Sequence, residues 1–479
     1  MSSKYELVVG LEIHAELSTN SKIYCSCRNK FGLEANSNCC PICTGMPGTL
    51  PTLNQKVVEY AVKMGLATNC KINKISKQDR KNYFYPDLPK AYQISQADIP
   101  ICENGYLDVL LKDGKIKRIG IERIHIEEDA GKLLKMQNFD EALVDFNRCG
   151  VPLIEIVSKP DMRSLEEVKA YLETVKSYLI YLNISDAKMQ EGSMRCDVNV
   201  SVRPVGQKEL GTRCEMKNVN TFSGAVKAIE YEYRRQIEAL EEGESICQET
   251  RKWDEKLSQT VSMRTKENSK DYRYFPEPDL KNISISQEEI EKISSQIPQM
   301  PNHKAIRYIN ELGLRQVEAQ LIAENFEKAR LFEKTLEINK NINIKMLSNW
   351  ILGTVSEYVN KSHKNYSEII TPENLSKIII YIQSGKISNS SGKKVFDQIT
   401  LDNSRSVDEI ILDLGLEQIS NTDELEAVVK KVLDSNKKIV DEYKKGKTNV
   451  LGYLVGQCIK ETKGKGNPSI IRDIVTGTI

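Results

Sequence analysis

The chain has 479 residues, with 68 lysines and arginines against 67 aspartates and glutamates and a formal net charge of +1. A hydrophobic content of 40% and a charged content of 28% are typical of a globular chain and exclude a disordered one. The near-zero net charge argues against a protein that coats nucleic acid through bulk electrostatics. It is compatible with a local basic patch. The length predicts roughly three domains of about 150 residues each.

The sequence contains no segment with the character of a membrane span or a secretion signal. The longest fully apolar runs are only a few residues, as at 109–111, whereas a span needs ~18. The first residues, Met1 to Glu6, lack a hydrophobic signal core. We therefore expect a cytoplasmic protein.

The first predicted element is a strand over residues 4–17, where every second side chain from Tyr5 to Leu17 is apolar and the positions between include Glu6, Glu12, His14 and Glu16. That period of two is typical of a half-buried strand. Further strand-like segments lie at 107–111, 117–126, 152–157 and 197–202.

Two helices are predicted between these strands. Ser164 and Glu167 form a capping box ahead of an apolar stripe that ends near Leu179. A second stripe spans 226–240 and is closed by Gly243.

The character of the chain changes after about residue 280, where strand patterns give way to helical ones. A Pro-containing stretch at 297–301 is typical of a linker, and a further break lies at 401–406. The fold class is therefore predicted as α+β, with a mixed or antiparallel sheet followed by helical units. The predicted domains are 1–295, 296–405 and 406–479.

Five of the twelve cysteines lie within 19 residues. Cys25 and Cys27, followed by Cys40 and Cys43, have the spacing of a tetrahedral thiolate zinc site built from two loop knuckles. Cys39 could replace Cys40, although Cys40 gives the usual C-x-x-C spacing. Because four thiolates leave no open position, such a zinc ion would be structural and would not perform the reaction.

Acidic residues and one histidine mark a second candidate site. Glu12 and His14 project from the same face of the first strand, with Cα atoms roughly 6–7 Å apart. The segment 125–129 contains three consecutive carboxylates, and Glu155 interrupts an apolar strand. A charge in that position requires a cation or hydrogen bonds. The group suits Mg²⁺ serving a phosphorylated substrate, while a solvated strand face is the simpler alternative.

Two further segments, 80–90 and 271–279, interleave basic and aromatic residues with prolines. This composition suits contact with phosphates and with a nucleotide or aminoacyl end; an ordered loop that packs its own aromatic rings is the alternative. The sequence has no G-x-x-x-x-G-K-[ST], G-x-G-x-x-G or G-x-S-x-G motif, which argues against a P-loop, a dinucleotide fold and a hydrolase elbow.

Six motifs in this order carry a resemblance to a known family. They occupy residues 10–14, 43–48, 80–86, 125–132, 152–158 and 271–279. Together they make the chain similar to the B subunits of bacterial aspartyl/glutamyl-tRNA amidotransferases, and the resemblance extends over essentially the whole length.

The resemblance implies a cradle-like α+β catalytic domain, then a helical domain and a small all-helical tail domain that contacts the tRNA elbow. It implies a heterotrimer in which the two partners are an amidase, which releases ammonia from glutamine, and a small third protein. In the B subunit, ATP and Mg²⁺ would phosphorylate the side-chain carboxylate of Glu-tRNA(Gln) or Asp-tRNA(Asn). Channelled ammonia would then displace phosphate and form Gln-tRNA(Gln) or Asn-tRNA(Asn).

The motifs also imply roles for residues. Glu12, His14, Glu128 and Glu155 would be the catalytic magnesium ligands. Glu127 is the alternative to Glu128, because strict alternation places the two on opposite faces and the sequence does not establish the register.

Charged residues are assigned to the substrate by the same reasoning. Lys81 and Lys90 are candidates for the phosphates or the tRNA 3′ end. Arg195, Asp197 and Lys217 are further candidates in the 191–220 stretch.

The tail domain has its own basic segment. Between residues 437 and 465 there are 8 lysines and 3 acids. The predicted tRNA contacts are Lys444, Lys445, Lys447, Lys463 and Lys465, and a solvated lysine-rich face is the alternative.

The competing function for the whole chain is a non-catalytic, zinc-containing tRNA-binding module.

Overall fold

The computed structural model describes residues 4–135, 142–265, 272–402, 405–419, 422–462 and 465–479. The chain divides into two compact units, Met1–Lys304 and Ala305–Ile479. The first unit contains a large mixed sheet with helices, and the described residues of the second form helices throughout. The α+β prediction is confirmed at this level. The finer division into three domains stays a prediction.

The strands of the described chain all belong to the first unit. They are β1 (Tyr5–Glu16), β2 (Lys71–Ile72), β3 (Ile75–Ser76), β4 (Asp79–Asn82), β5 (Tyr92–Ser95), β6 (Cys102–Leu110), β7 (Ile116–Glu128), β8 (Lys132–Lys135), β9 (Ala142–Asp145), β10 (Pro152–Ser158), β11 (Met194–Pro204), β12 (Cys214–Val219), β13 (Glu249–Asp254), β14 (Gln259–Thr265), β15 (Phe275–Pro276) and β16 (Ile283–Ser284).

Helices occur in both units. Those that begin in the first unit are α1 (Gln55–Ala67), α2 (Leu165–Tyr181), α3 (Phe222–Glu241), α4 (Gln287–Ser294) and α5 (Pro301–Asn310). The second unit continues with α6 (Gln316–Ala323), α7 (Phe326–Ile338), α8 (Ile344–Trp350), α9 (Ser356–Ser362), α10 (Tyr366–Ile369), α11 (Pro372–Gln383), α12 (Asn389–Leu401), α13 (Val407–Leu414), α14 (Thr422–Ser435), α15 (Lys437–Lys444), α16 (Leu451–Glu461) and α17 (Pro468–Thr478). Short 3₁₀ turns lie at Phe146–Arg148 and Thr448–Val450, and a π-helical turn at Ile351–Val355.

Nine strands form the principal sheet, in the order β14-β13-β12-β11-β1-β10-β7-β6-β2. Neighbouring strands are antiparallel except for β12 and β13, which are parallel. The predicted first strand, β1, therefore lies in the middle of the sheet between β10 and β11. A central position explains why every second side chain of β1 is apolar, because one face of an antiparallel sheet packs on the core while the other can carry polar groups.

The core lies on one face of this sheet. Leu11 and Ile13 of β1 are fully buried, in one hydrophobic cluster with Val62 of α1, Leu172 of α2 and Ile229 of α3. Helices thus cover the apolar face of the central strands. The opposite face is left for the polar side chains of β1 and its neighbours.

The predicted helices α2 and α3 are confirmed, with one difference at the first cap. The Ser164 hydroxyl accepts the Glu167 N–H at 3.2 Å, as expected. The Glu167 carboxylate, however, accepts from the N–H of Arg163 at 2.7 Å instead of from Ser164. Helix α3 is followed by Gly243 at φ +82°, a left-handed conformation that glycine adopts without a Cβ clash.

The second unit contains two separate hydrophobic clusters. One includes Trp350 and Phe396, and the other includes Leu425 and Val475 from the last helices. No helix of the described residues combines the length and the apolar character that crossing a membrane requires.

Candidate functional site

A row of polar side chains crosses the centre of the sheet on the face away from the helices. His14 on β1 lies opposite Arg195 on β11 and Glu155 on β10, and Glu155 lies opposite His125 on β7. Cross-strand partners project from the same face. Four strands that are distant in sequence therefore bring these groups to one place.

Glu127, two residues beyond His125 on β7, completes the group. His14 Nε2 lies 3.4 Å from a Glu127 oxygen and 3.3 Å from a Glu155 oxygen. One ligand atom from each of these three residues lies within 4.8 Å of the other two. Two carboxylates and an imidazole at this separation fit a divalent cation.

The electrostatics of the group are mutually stabilising. Burial opposes protonation of His125, but the nearby Glu155 and Glu127 carboxylates together outweigh it and raise the His125 pKa to about 9. The pKa of His14 is raised in the same way, against burial, by Glu155 and Glu127. Burial would raise the Glu155 pKa, but the two histidines hold it well below its usual value. The two carboxylates thus favour positive charge at this point, which is also what a bound cation would supply.

Glu12 belongs to a neighbouring acidic group. Its carboxylate lies with those of Asp197 and Glu215, again within 4.8 Å. Lys217 Nζ donates to Asp197 at 2.6 Å and lies 3.0 Å from a Glu215 oxygen, so this group already contains a cation. Asn199 donates to Glu12 at 2.9 Å. Burial, and then the Glu155 charge, raise the Glu12 pKa.

The structure places Glu128 apart from the His14 group. Its side chain projects from the face of β7 opposite to the one that carries Glu127. The Glu128 carboxylate accepts a hydrogen bond from the Ile94 N–H at 2.9 Å and forms an ion pair with Lys90. The reason is the alternation of side chains along β7, whose register the sequence did not establish. Glu127, the alternative in the sequence interpretation, is the glutamate that lies with His14.

Lys90 therefore lies away from the His14 group. With Glu128 it lines a cavity of about 200 Å³, together with Tyr24, Tyr92 and Cys43. Its ammonium already has a carboxylate partner.

Lys81 lies close enough to Glu127 for the two charges to interact. Burial lowers the pKa of Lys81, but the Glu127 charge and the surrounding tyrosine oxygens raise it further than burial lowers it. Its Nζ lies 4.9 Å from the Tyr272 ring centroid and 5.9 Å from that of Tyr83. A cation–π contact of this kind positions a lysine ammonium group without neutralising its charge.

The two basic-aromatic segments meet in space. Strand β15 pairs with β4, with Phe275 opposite Arg80. Arg80 also forms an ion pair with Glu277 at 2.7 Å. Segments almost two hundred residues apart thus form one small sheet, which the sequence motifs alone did not indicate.

Arg195 borders the His14 row on β11. It pairs with Asp129 and lies 3.8 Å from Glu16. Burial, followed by the charge of Asp129, raises the Glu16 pKa to about 8. Arg195 and Lys217 therefore both face acidic groups beside the site.

The four predicted cysteines also come together. The Sγ atoms of Cys25, Cys27, Cys40 and Cys43 lie within 4.8 Å of one another. Cys39 is outside this group, and its thiol contacts the Asn36 carbonyl at 3.4 Å. Four convergent sulfurs are the donor set of a structural zinc ion, so the residues fit that metal.

A knuckle turn presents two of these sulfurs. The Thr44 N–H donates to the Cys40 carbonyl, and the Cys40 N–H points at Cys43 Sγ at 3.1 Å. The pKa of Cys43 falls to about 5 because the Cys25 thiol, the Cys40 N–H and Lys22 favour its thiolate, against the effect of burial.

The predicted tail lysines are surface residues where the structure describes them. Lys444, Lys445, Lys447 and Lys465 are exposed, and Lys447 pairs with Glu442 at 3.2 Å. Lys463 lies outside the described residues.

The sequence interpretation missed two participants in the polar face. The sequence interpretation gives no role to His125, which lies in the motif at residues 125–132, and it does not name Glu215. The signal for His125 was present: it precedes Glu127 by two residues and so shares its face. Glu215 had no comparable signal, because its position depends on the pairing of β12 with β11.

Comparison with known proteins agrees with this architecture. The family model described as the GatB/GatE catalytic domain matches residues 7–291, and one described as a GatB domain matches residues 330–479.

Full-length relatives are similar over nearly the whole chain. The aspartyl/glutamyl-tRNA(Asn/Gln) amidotransferase subunits B of Thermoanaerobacter pseudethanolicus and Caldicellulosiruptor saccharolyticus are 54% and 52% identical to it. The protein of the same name from Clostridium botulinum is 49% identical. Each match covers 98% of both chains. The chain belongs to the family of B subunits of the aspartyl/glutamyl-tRNA(Asn/Gln) amidotransferases.

Proposed function

We propose that the group formed by His14, Glu127 and Glu155 is the site at which this protein activates a carboxylate on tRNA. The chain is part of a tRNA-dependent amidotransferase, an ATP-dependent ligase that forms Gln-tRNA(Gln) or Asn-tRNA(Asn). The observation that carries the proposal is the convergence of two carboxylates and an imidazole within 4.8 Å on strands at the centre of the sheet.

The reaction defines what such a site must do. The side-chain carboxylate of Glu or Asp attacks the γ-phosphorus of ATP, ADP leaves, and an acyl phosphate forms. Ammonia then attacks the carbonyl carbon, phosphate leaves, and the nitrogen loses a proton. The acyl phosphate is needed because a carboxylate oxygen is a poor leaving group, whereas phosphate is a good one.

His14, Glu127 and Glu155 would hold Mg²⁺ at this site. When bound, the ion would supply positive charge to the oxygens of the transferring phosphoryl group. Glu12, with Asp197 and Glu215, would keep the neighbouring surface acidic. We assign Glu12 to this second group, in which Lys217 supplies the compensating charge.

Lys81 is the proposed contact for the phosphates or the aminoacylated 3′ end. It is charged, faces Glu127 and stands among tyrosine rings on which a base or ribose could stack. Lys90 is left out of this role because it is paired with Glu128 and lines a cavity that none of His14, Glu127 and Glu155 lines. Arg195 would orient the acidic groups at the edge of the site through Asp129.

The remaining predictions complete the proposal. The four cysteines would hold a structural zinc ion, and the exposed tail lysines Lys444, Lys445, Lys447 and Lys465, together with Lys463, would contact tRNA phosphates. The partners in the heterotrimer would be an amidase, as the ammonia source, and a small third protein. The first unit would act as the catalytic cradle, and the two helical regions after residue 295 would position tRNA.

The test is replacement of Glu155 by glutamine in the reconstituted heterotrimer. We expect Glu155→Gln to abolish ATP-dependent amidation of Glu-tRNA(Gln) and Asp-tRNA(Asn) while glutamine hydrolysis continues. Glu122→Gln is the matched control, because Glu122 is an exposed glutamate on β7 and should leave both reactions unchanged. Retained amidation in Glu155→Gln, with only tRNA affinity altered, would contradict the catalytic role and favour a tRNA-binding module.

A further inference from the structure

A fully buried lysine lies against the cysteine group. Lys22 has 0% exposure, and its Nζ donates to the Asn38 carbonyl oxygen at 2.9 Å and lies 3.6 Å from Cys43 Sγ. Lysine is almost never fully buried unless it is paired. Within the part of the chain that the structure describes, Lys22 forms no ion pair with a carboxylate.

The charge of Lys22 therefore needs another source of compensation. An ammonium ion in a low-dielectric interior is strongly disfavoured without a counter-charge. The Asn38 carbonyl oxygen provides a hydrogen-bond acceptor but no negative charge, so the compensating charge has to come from the sulfur atoms. Four thiolates around one Zn²⁺ ion carry a net charge of about −2.

We propose that Lys22 is the built-in counter-charge of the zinc centre and a positioning residue for its ligand Cys43. The inference rests on the proposed zinc site and deepens it. The Lys22 ammonium donates a charge-assisted N–H···S hydrogen bond to the Cys43 thiolate and removes half of the excess negative charge. It thereby strengthens zinc binding and slows the loss of the metal.

The backbone around Lys22 supports this role by tying it to the ligands. The Lys22 N–H donates to the Cys27 carbonyl at 2.9 Å, so one residue contacts two of the four cysteines. On the other side, a Cβ at Gly150 would lie 3.4 Å from Cys43 Cβ and 3.7 Å from Lys22 Cδ. The lysine stem is therefore enclosed against Cys43.

The experiment compares zinc binding by the full chain and by its Lys22→Met variant. We expect zinc affinity, measured by competition with a chromogenic chelator, to fall about 10–100-fold, the usual cost of removing an outer-shell partner. Lys30→Met is the control, since Lys30 is an exposed lysine of the same loop and its replacement should leave affinity unchanged. Lys22→Arg, which keeps the charge, should restore part of the affinity.

A second measurement separates this role from simple packing. The thiolate-to-metal absorption bands of the cobalt-substituted protein should move to lower energy in Lys22→Met, because the sulfur loses its hydrogen bond. The variant should also lose thermal stability when zinc is bound and not when zinc is removed. If Lys22→Met does not fold, the same comparison can be made between Lys22→Gln, which removes the charge, and Lys22→Arg, which retains it.

The outcomes are distinct. A wild-type chain that binds no zinc would overturn the zinc centre and this inference together. Bound zinc with equal affinity in wild type and Lys22→Met would overturn the inference alone. Equal destabilisation of the zinc-bound and zinc-free forms would do the same, because it would make Lys22 a packing residue only.

Discussion

The two candidate centres of the first unit are built in opposite ways. The cysteine centre takes its sulfurs from residues 25–43, one continuous loop. The acidic centre takes its groups from residues 14, 127 and 155, on three strands of one sheet. A centre made from one loop can be recognised from spacing, whereas one made from separate strands needs the order and register of those strands.

The two centres also differ in how their charge is balanced. At the acidic centre two carboxylates face two histidines, and the carboxylates raise the pKa of both imidazoles. At the cysteine centre one buried lysine faces the sulfur atoms, and the loop is tied to the rest of the unit by hydrogen bonds such as that from Asn147 to the Glu34 carbonyl at 2.6 Å. Changes at the first centre should therefore alter catalysis, and changes at the second should alter local stability.

The largest expected effect distinguishes the two neighbouring glutamates of β7. Glu127→Gln should lower the amidation rate by at least ~10²-fold, on the scale of losing transition-state electrostatics, and should raise the Mg²⁺ concentration needed for half-maximal activity. Glu128→Gln should leave that Mg²⁺ concentration unchanged. The measurement is a Mg²⁺ titration of amidation by the reconstituted amidotransferase complex. An equal shift in both variants would contradict the placement of Glu128 on the other face.

Removal of zinc tests whether the cysteine centre is structural. Cys43→Ser should reduce bound zinc from about one ion per chain to near zero, because three remaining thiolates leave the tetrahedral set incomplete. Hydrogen exchange should then accelerate over residues 25–43 while the central strands stay protected. Cys39→Ser is the control, because that thiol is outside the group. Accelerated exchange throughout β1 would indicate that the two centres are coupled.

The histidines of the acidic centre should make stability depend on pH. The folded-state pKa of His125 is raised to about 9, above its unfolded value of about 6.5. Its stabilising contribution is therefore complete below pH 6.5 and is lost as pH rises through about 9. His125→Gln should cost roughly 1–3 kcal/mol at pH 6 and less at pH 10, measured by denaturant unfolding in the presence of a Mg²⁺ chelator. A cost that does not change with pH would argue against a charged His125.

The smallest effect is expected outside both centres, in the tail. Replacing Lys444 and Lys445 by alanine should raise the KM for tRNA a few-fold and leave kcat unchanged, because in the proposed role these exposed residues would make only non-specific phosphate contacts. The salt dependence of tRNA binding should fall by about one unit of slope per lysine. Lys394→Ala, at an exposed lysine of α12, is the control. A change in kcat would show that the tail acts on the chemistry.

Much of the first unit could be predicted from the sequence. Alternation indicated β1, and apolar stripes with capping residues indicated α2 and α3, because these signals are local. The four cysteines that converge were predictable for the same reason, since their spacing lies within one loop. The pairing of β15 with β4 was not predictable, because it joins residues 80 and 275 through strands of two and four residues that are too short to have a pattern of their own.

The sequence by itself determined which residue types could perform the chemistry: the cysteine spacing, the Glu–His pair of β1 and the motifs that point to the amidotransferase family. Only the tertiary structure decided which of two adjacent glutamates faces His14, that His125 joins them, and that Glu12 belongs with Asp197 and Glu215. It also showed that Lys22 is buried against Cys43. The physical reason is that side-chain direction in a sheet reverses with every residue, so a site built across strands depends on a register that no single strand encodes.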